Sequence, residues 1–406
     1  MEEILKTTED DKLQLAFIFD PNKCIICNAC VNACNSAYGG LNWRTLLVFD
    51  EGDTKVGVSI ACNHCENPLC MKVCPSNAIK KDEMNIVYID PKECIGCGYC
   101  TWACPYEEPK FTKDGVMSKC DFCRQRLMNK QGLPLCVEAC PTGALSFGWV
   151  DKKEYSAPFL APYELTRPNL VVRQSKVKVE ASPLKTRKEE NYWQLFIFTL
   201  FSEFALGSLL IPVKGIVPLL LMLIGLIPSI LHINRKERFY KVIKNLRTSW
   251  LSREVFFSSL SVLSLIFYSL YPSVLTFASS LVILSLAIIS SIMLYILKTI
   301  PSWYSPNTVI SFLGTAFTSV FPLGYFLTHN YLYLLVAVAF SIAEIFAASK
   351  GNKPRLILNS FYLIMVLLSI LIPLISLIAT PVAILSEFIE RRRFYENISY
   401  YGLPKH

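Results

Sequence analysis

All sixteen cysteines of the chain fall between Cys24 and Cys140, in four groups of four. Cys24, Cys27, Cys30 and Cys34 form the first, in CIICNACVNAC. Cys62, Cys65, Cys70 and Cys74 form the second, in CNHCENPLCMKVCP. Cys94, Cys97, Cys100 and Cys104 form the third, in CIGCGYCTWACP. Cys120, Cys123, Cys136 and Cys140 form the fourth, in CDFCRQRLMNKQGLPLCVEACP. No cysteine is left over, and a fold that crowds three thiols into seven residues needs something for them to hold.

Three chemistries compete for these thiols. Disulfides between cysteines two apart have poor geometry, and the opening MEEILKTTEDDK lacks a secretory pattern, so an oxidising compartment is not expected. Structural zinc uses C-x₂-C pairs separated by a dozen or more residues. The fourth group alone fits that spacing; in the first and third groups the third cysteine follows too soon. An iron–sulfur cube takes four thiolates, and C-x₂-C-x₂-C wraps three of its corners. The fourth cysteine then starts a helix pointing away, so in two-cluster ferredoxins it serves the other cluster. A proline after it suits the chain's exit: Pro75, Pro105 and Pro141 supply it in three groups, and Asn35 stands in the first. The spacing therefore predicts four [4Fe–4S] clusters.

The flanks agree with a small α+β ferredoxin-like domain over residues 15–150. NAIKKDEMNIVYIDPKEC and TGALSFGWV read as short strands separated by turn residues. Ile25, Ile26, Val73 and Ile95 sit beside the thiols, where apolar side chains keep water off a cluster. His64, between Cys62 and Cys65, reads as a hydrogen-bonding or exposed neighbour, because the ligand count is already complete.

Beyond residue 150 the character of the chain changes. Residues 1–150 carry 15 Lys/Arg against 19 Asp/Glu, and residues 151–406 carry 25 against 13. Residues 151–190 are polar and proline-dotted, as in a linker or docking strap. Apolar runs follow at about 192–213, 215–233, 254–271, 273–297, 308–328 and 330–349, and a last one covers 355–390. As one helix the last would be roughly 54 Å long, beyond a hydrocarbon core of roughly 30 Å. Two helices turning near Pro373–Pro381 fit better. The expectation is an all-α polytopic membrane bundle over 191–396, of about eight transmembrane helices, with seven as the alternative.

The loops are asymmetric in charge. NRKERFYKVIKNLRTSWLSR has seven Lys/Arg; Lys298, Lys350, Lys353, Arg355, Arg391, Arg392, Arg393 and Lys405 fall on the same side, and Lys214 stands alone opposite. The positive-inside rule then puts the cysteine domain on the cytoplasmic face of the cell membrane. The basic loop reads as a surface facing lipid headgroups, with no nucleic-acid role.

The order of the four groups, with the two-four-three spacing of the second and the long insert of the fourth, resembles the four-cluster ferredoxin subunit of the dimethyl sulfoxide reductase (molybdopterin oxidoreductase) family. In the second half, WQLFIFTLFSEFALG, SILHINRKERFYKVIKNL, LSREVF, TIPSWYSPNTVISFLGTAF and SEFIERRRFY resemble, in that order, that family's membrane anchor subunit. The resemblance implies interlocked ligation: Cys24, Cys27, Cys30 and Cys140 on one cube; Cys120, Cys123, Cys136 and Cys34 on its neighbour; Cys62, Cys65, Cys70 and Cys104 on a third; Cys94, Cys97, Cys100 and Cys74 on the fourth. It further implies that menaquinol or another quinol of the membrane pool is oxidised. Electrons then pass to a separate molybdopterin-containing catalytic subunit.

Quinol oxidation releases protons, so a titratable group is expected at the edge of the membrane. His232 ends one apolar run and Glu254 begins the next, and the matching family positions imply a quinol role for both. Arg253, Trp303 and Tyr304 are weaker candidates, and Glu387 with Arg391 is the fallback pair. Competing readings are the same module reducing quinone with electrons from a sulfur compound, a proton-translocating module using Glu203, Glu344 and Glu387, and a zinc scaffold.

Overall fold

The computed structural model describes residues 13–51, 54–151, 160–173, 184–187, 192–349 and 352–401. Residues 1–12, much of the expected strap at 151–190, and Lys350 and Lys405 of the charge count lie outside the described residues. The chain divides into two units. The first runs to Lys185 and also takes in Glu237–Lys241; the second holds Thr186–Lys236 and Val242–Ser399.

The first unit consists of short elements in the order β1 (Leu13–Phe19), α1 (Ala29–Ala37), β2 (Thr45–Glu51), β3 (Thr54–Ile60), α2 (Leu69–Val73), β4 (Ile79–Lys81), β5 (Val87–Ile89), α3 (Tyr99–Trp102), β6 (Lys110–Phe111), β7 (Met117–Ser118), α4 (Arg124–Met128), α5 (Leu135–Glu138), β8 (Leu145–Asp151), α6 (Tyr163–Thr166) and β9 (Leu170–Val172). Cys30 and Cys34 lie one turn apart on α1, while α2 carries Cys70 and ends at Cys74. One helical turn thus carries the chain from a quartet's third cysteine towards its fourth.

Strand pairing explains how distant quartets meet. β1 pairs antiparallel with β8, with Phe19 opposite Leu145. Cys24 follows Phe19, and Cys140 precedes Leu145, by the same number of residues. The β4–β5 hairpin repeats this arrangement, with Ile79 opposite Ile89. Cys74 precedes Ile79 and Cys94 follows Ile89 by that same number. An antiparallel register therefore brings the first cysteine of one quartet to the last of another, once across the whole domain and once within a hairpin.

The turns between cysteines are left-handed at matching places. Gly96 and Gly98 have φ of 70° and 73°; Ile26 and Asn28 hold 56° and 60° in the first quartet. Glycine adopts this conformation freely, whereas a β-branched isoleucine there is strained. Successive turns of this kind aim backbone amides at an anion, which is a reason to keep the same backbone at that cost.

Residues 160–173, within the expected strap, join this unit. β9 adds to β1 in parallel, Asn169 Nδ2 donates to the His64 carbonyl at 2.8 Å, and the hydroxyls of Tyr106 and Thr166 lie 2.7 Å apart.

The second unit is helical: α7 (Trp193–Leu209), α8 (Ile216–Leu231), α9 (Trp250–Leu270), α10 (Val274–Tyr295), α11 (Pro306–Thr318), α12 (Phe321–Thr328), α13 (Tyr331–Ala348), α14 (Lys353–Leu368) and α15 (Leu374–Glu396). Four stretches are long and apolar enough to cross a membrane: α9, α10, α11 with α12, and α13. A fifth is reached if α8 is counted with the segment Lys236–Asn245, from which it bends by 107°. The last apolar run breaks after Leu368, ahead of Pro373, and Pro381 lies inside α15. The turn therefore falls at Pro373, which caps α15, and not at Pro381.

Small residues let these helices approach closely. Ser258, Ser261 and Ser264 of α9 are buried, and the last two turn their hydroxyls back to their own helix at 2.8 and 2.9 Å. A Cβ on Gly207 of α7 would stand 2.0 Å from the Ala316 carbonyl oxygen of α11, so only glycine permits that crossing.

Candidate metal centre and membrane site

All sixteen cysteines are free thiols, and they gather in four sets that cut across the sequence quartets. Around the Cys24 thiol lie those of Cys27, Cys30 and Cys140. Cys34, Cys120, Cys123 and Cys136 line one cavity, with Tyr38, Trp43 and Phe122 among its other walls. Cys62 and Cys70 flank both Cys65 and Cys104. Cys74, Cys94, Cys97 and Cys100 line a second cavity, closed by Ile79, Ile95 and Met117. Every last cysteine of a quartet has crossed to another quartet's set.

The sets form a row. Cys30 neighbours Cys136, Cys120 neighbours Cys62, and Cys70 neighbours both Cys74 and Cys100. Burial pushes the Cys34 and Cys97 thiols up to about 12. Such thiols keep their protons until a cationic core takes their place. Among the described residues no three Cys, His, Asp or Glu side chains converge as one metal ion requires. The thiols of the second and fourth sets line a space instead of meeting at a point, which fits a cube better than a single zinc.

Polar groups aim at the sulfurs. The backbone N–H of Ala78 donates to Cys74 and that of Met117 to Cys94, both at 3.3 Å. His64 is fully buried, stacks on Phe122 at 3.6 Å, and accepts from the Val87 N–H at 3.0 Å through Nδ1. It is a packed neighbour, which removes the exposed alternative. The segment Glu237–Lys241 grips the row's last set: Arg238 donates to the carbonyls of Pro91 at 2.5 Å and Cys94 at 3.1 Å, and Lys241 pairs with Glu93 at 3.0 Å.

In the helical unit, charged side chains are buried together. Arg391 holds Glu203 at 2.7 Å, Thr315 donates to Glu387 at 2.8 Å, and Arg355 reaches Glu344 and Glu387, each at 3.4 Å. Arg355 also meets Glu390 at 3.1 Å, beside a cavity of about 410 Å³ lined by Asn352, Arg355, Glu390 and Arg393.

Comparison with known proteins accounts for both units. Residues 53–150 match the family described as 4Fe-4S dicluster domain, and residues 192–361 match DMSO reductase anchor subunit (DmsC). The sequence is 37 % identical over 182 residues to the B subunit of anaerobic dimethyl sulfoxide reductase from Escherichia coli (strain K12), covering 39 % of this chain and 88 % of that subunit. The chain belongs to the dimethyl sulfoxide reductase family. It is also 34 % identical over 195 residues to the thiosulfate reductase electron transfer subunit PhsB of Salmonella typhi, covering 43 % of this chain and 93 % of the relative. This member of the family thus joins an iron–sulfur electron-transfer subunit and its membrane anchor in one polypeptide.

Each expected quinol residue has its own surroundings. His232 caps α8, half-buried, with Nδ1 against the Ser229 carbonyl. Glu254 is buried on α9 beside Ser291 and Tyr295 of α10. Arg253 turns away to the carbonyls of Leu246 and Arg247 and lies 4.2 Å over the Trp250 ring. Glu387 and Arg391 belong to the buried ionic group. Trp303 is buried, donating to the Phe394 carbonyl at 3.0 Å, so it is not an interfacial anchor, whereas Tyr304 is exposed.

Two of the arginines counted as loop charges are not loop charges. Arg355 and Arg391 are 2 % and 1 % exposed and paired inside the bundle. Two cations that the cysteine spacing does not reveal, Arg44 and Lys119, are buried against the thiol sets. A lone Arg or Lys in a cysteine-rich stretch carries no periodic signal by which sequence alone could find it.

Proposed function

We propose that this chain oxidises a quinol, menaquinol by its family resemblance, and conducts the electrons along four [4Fe–4S] clusters to a separate molybdopterin-containing catalytic subunit. Cys24, Cys27, Cys30 and Cys140 hold the first cluster; Cys34, Cys120, Cys123 and Cys136 the second; Cys62, Cys65, Cys70 and Cys104 the third; Cys74, Cys94, Cys97 and Cys100 the fourth. The observation that carries this reading is the continuous row of four interlocked thiol sets. When bound, each cluster accepts and releases one electron at a time. The protein's own part is to fix the thiols, exclude water with Phe122, Ile79, Ile95 and Met117, and turn amide N–H groups towards the sulfurs.

The anchor is assigned eight membrane-crossing helices: α7, α8, α9, α10, α11 with α12, α13, α14 and α15. Its short members are completed by the Trp, Tyr, Lys and Arg at their ends. The cysteine domain faces the cytoplasm on the charge asymmetry, reduced by Arg355 and Arg391 but still carried by the seven Lys/Arg between α8 and the start of α9. His232 and Glu254 bracket this basic segment in sequence and are assigned to the quinol, Glu254 as proton acceptor.

The test is reduction of the clusters by quinol, followed by electron paramagnetic resonance. His232→Arg and Glu254→Lys abolish quinol-driven reduction while dithionite still reduces all four centres. Normal quinol-driven reduction in either variant overturns the site. Co-purification of a molybdenum-containing chain tests the partner.

A further inference from the structure

Two cations are buried in the cysteine domain where charge is most costly to desolvate. Arg44 is 1 % exposed. Its Nη1 donates to Ser59 Oγ at 2.9 Å, and Ser59 Oγ lies 3.3 Å from the sulfur of Cys30, in the first set. Its guanidinium stacks 4.1 Å over Phe17 and faces Cys34, Cys120 and Cys136 of the second set. Nη2 is buried with no nitrogen or oxygen partner. Lys119 is 3 % exposed. Its ammonium donates to the sulfur of Cys62 in the third set at 3.3 Å and to the carbonyl of Cys120 in the second at 3.0 Å, with a further contact to the Val87 carbonyl. Each cation therefore bridges two adjacent sets. The fourth set receives backbone N–H groups from Ala78 and Met117, and the part-exposed Arg238 acts on it from outside.

A buried cation needs compensating negative charge. Two carboxylates lie near them: the buried Glu108, on which both act, and Asp121, on which Lys119 acts. A thiolate-ligated cluster is anionic already when oxidised and gains a further negative charge with an electron, so a cation beside it favours the reduced state. Cluster potentials respond to nearby charge and to hydrogen bonds on the sulfurs.

We propose that Arg44 and Lys119 raise the reduction potentials of the clusters they separate, Arg44 acting on the first and second and Lys119 on the second and third. The inference rests on the four-cluster reading. The electron resides more stably beside either cation, and the second cluster, facing both, is stabilised from both sides. Arg44 and Lys119 are positioning residues, since neither ligates a cluster.

The experiment is a potentiometric titration of the full-length chain, with its catalytic partner, read by electron paramagnetic resonance at one fixed pH. Arg44→Gln should lower the midpoints of the first and second centres, and Lys119→Met those of the second and third. Each shift should correspond to at least a tenfold change in the one-electron equilibrium, which is 59 mV. The second centre moves in both variants and the fourth in neither. Arg44→Lys and Lys119→Arg keep the charge and should stay close to the native midpoints. Unmoved midpoints with iron near sixteen per chain overturn the cation role and leave the cluster reading standing. So does a charge-retaining variant that shifts as far as its neutral counterpart, or that loses its iron, because packing is then the cause. A native chain with well under sixteen irons overturns the cluster reading itself.

Discussion

Arg391 of α15 reaches Glu203 of α7 with contacts of 2.9 and 2.7 Å, although the two lie 188 residues apart and each is 1 % exposed. Removing one partner of such a pair strands the other in an apolar medium, whereas removing both does not. Arg391→Met is expected to cost about 3–5 kcal/mol and lower the thermal midpoint of the detergent-solubilised protein. Arg391→Met with Glu203→Met should recover most of that loss. If the double variant is no better, the contribution of Arg391 lies in its stacking over Phe312 at 3.7 Å.

Gly57 marks a close approach of β3 to the first set. A Cβ there would stand 3.0 Å from the Cys24 sulfur and 3.0 Å from Ile26. Gly57→Ala should therefore displace Cys24 and empty one cube, and iron analysis should fall by about four per chain. Gly148→Ala on β8, with open space around it, is the control and should keep its full iron. Retention of all iron in Gly57→Ala would show that the strand yields.

The ligand spacing of the cysteine half was legible because three thiols within seven residues admit few chemistries. The register that joins Phe19 to Leu145 was not, since it depends on pairing across more than a hundred residues. The apolar runs gave the helices of the membrane half to within a few residues. What they concealed was rotation: Arg355 and Arg391 look like loop charges at the ends of apolar runs, and only packing turns them inward to Glu344, Glu387 and Glu203. His232 and Glu254 are close in depth by sequence, yet Glu254 points towards Tyr295 and His232 towards its own helix.

Arg238 and Lys241 tie a basic segment to the chain that leads into Cys94. Charge-assisted hydrogen bonds of this kind contribute about 1.5–3 kcal/mol, less where water reaches them. Arg238→Ala should raise amide hydrogen exchange across Asp90–Cys97 while leaving β1 and β8 protected. Unchanged exchange in that stretch would mean the two carbonyl contacts are not held in solution.

The central claim is that the four interlocked thiol sets hold cubane clusters, and metal analysis of the purified chain tests it most directly. The account predicts about sixteen irons and as many acid-labile sulfides per chain, four of each for every set. Zinc at about one ion per set, with no sulfide, would contradict it.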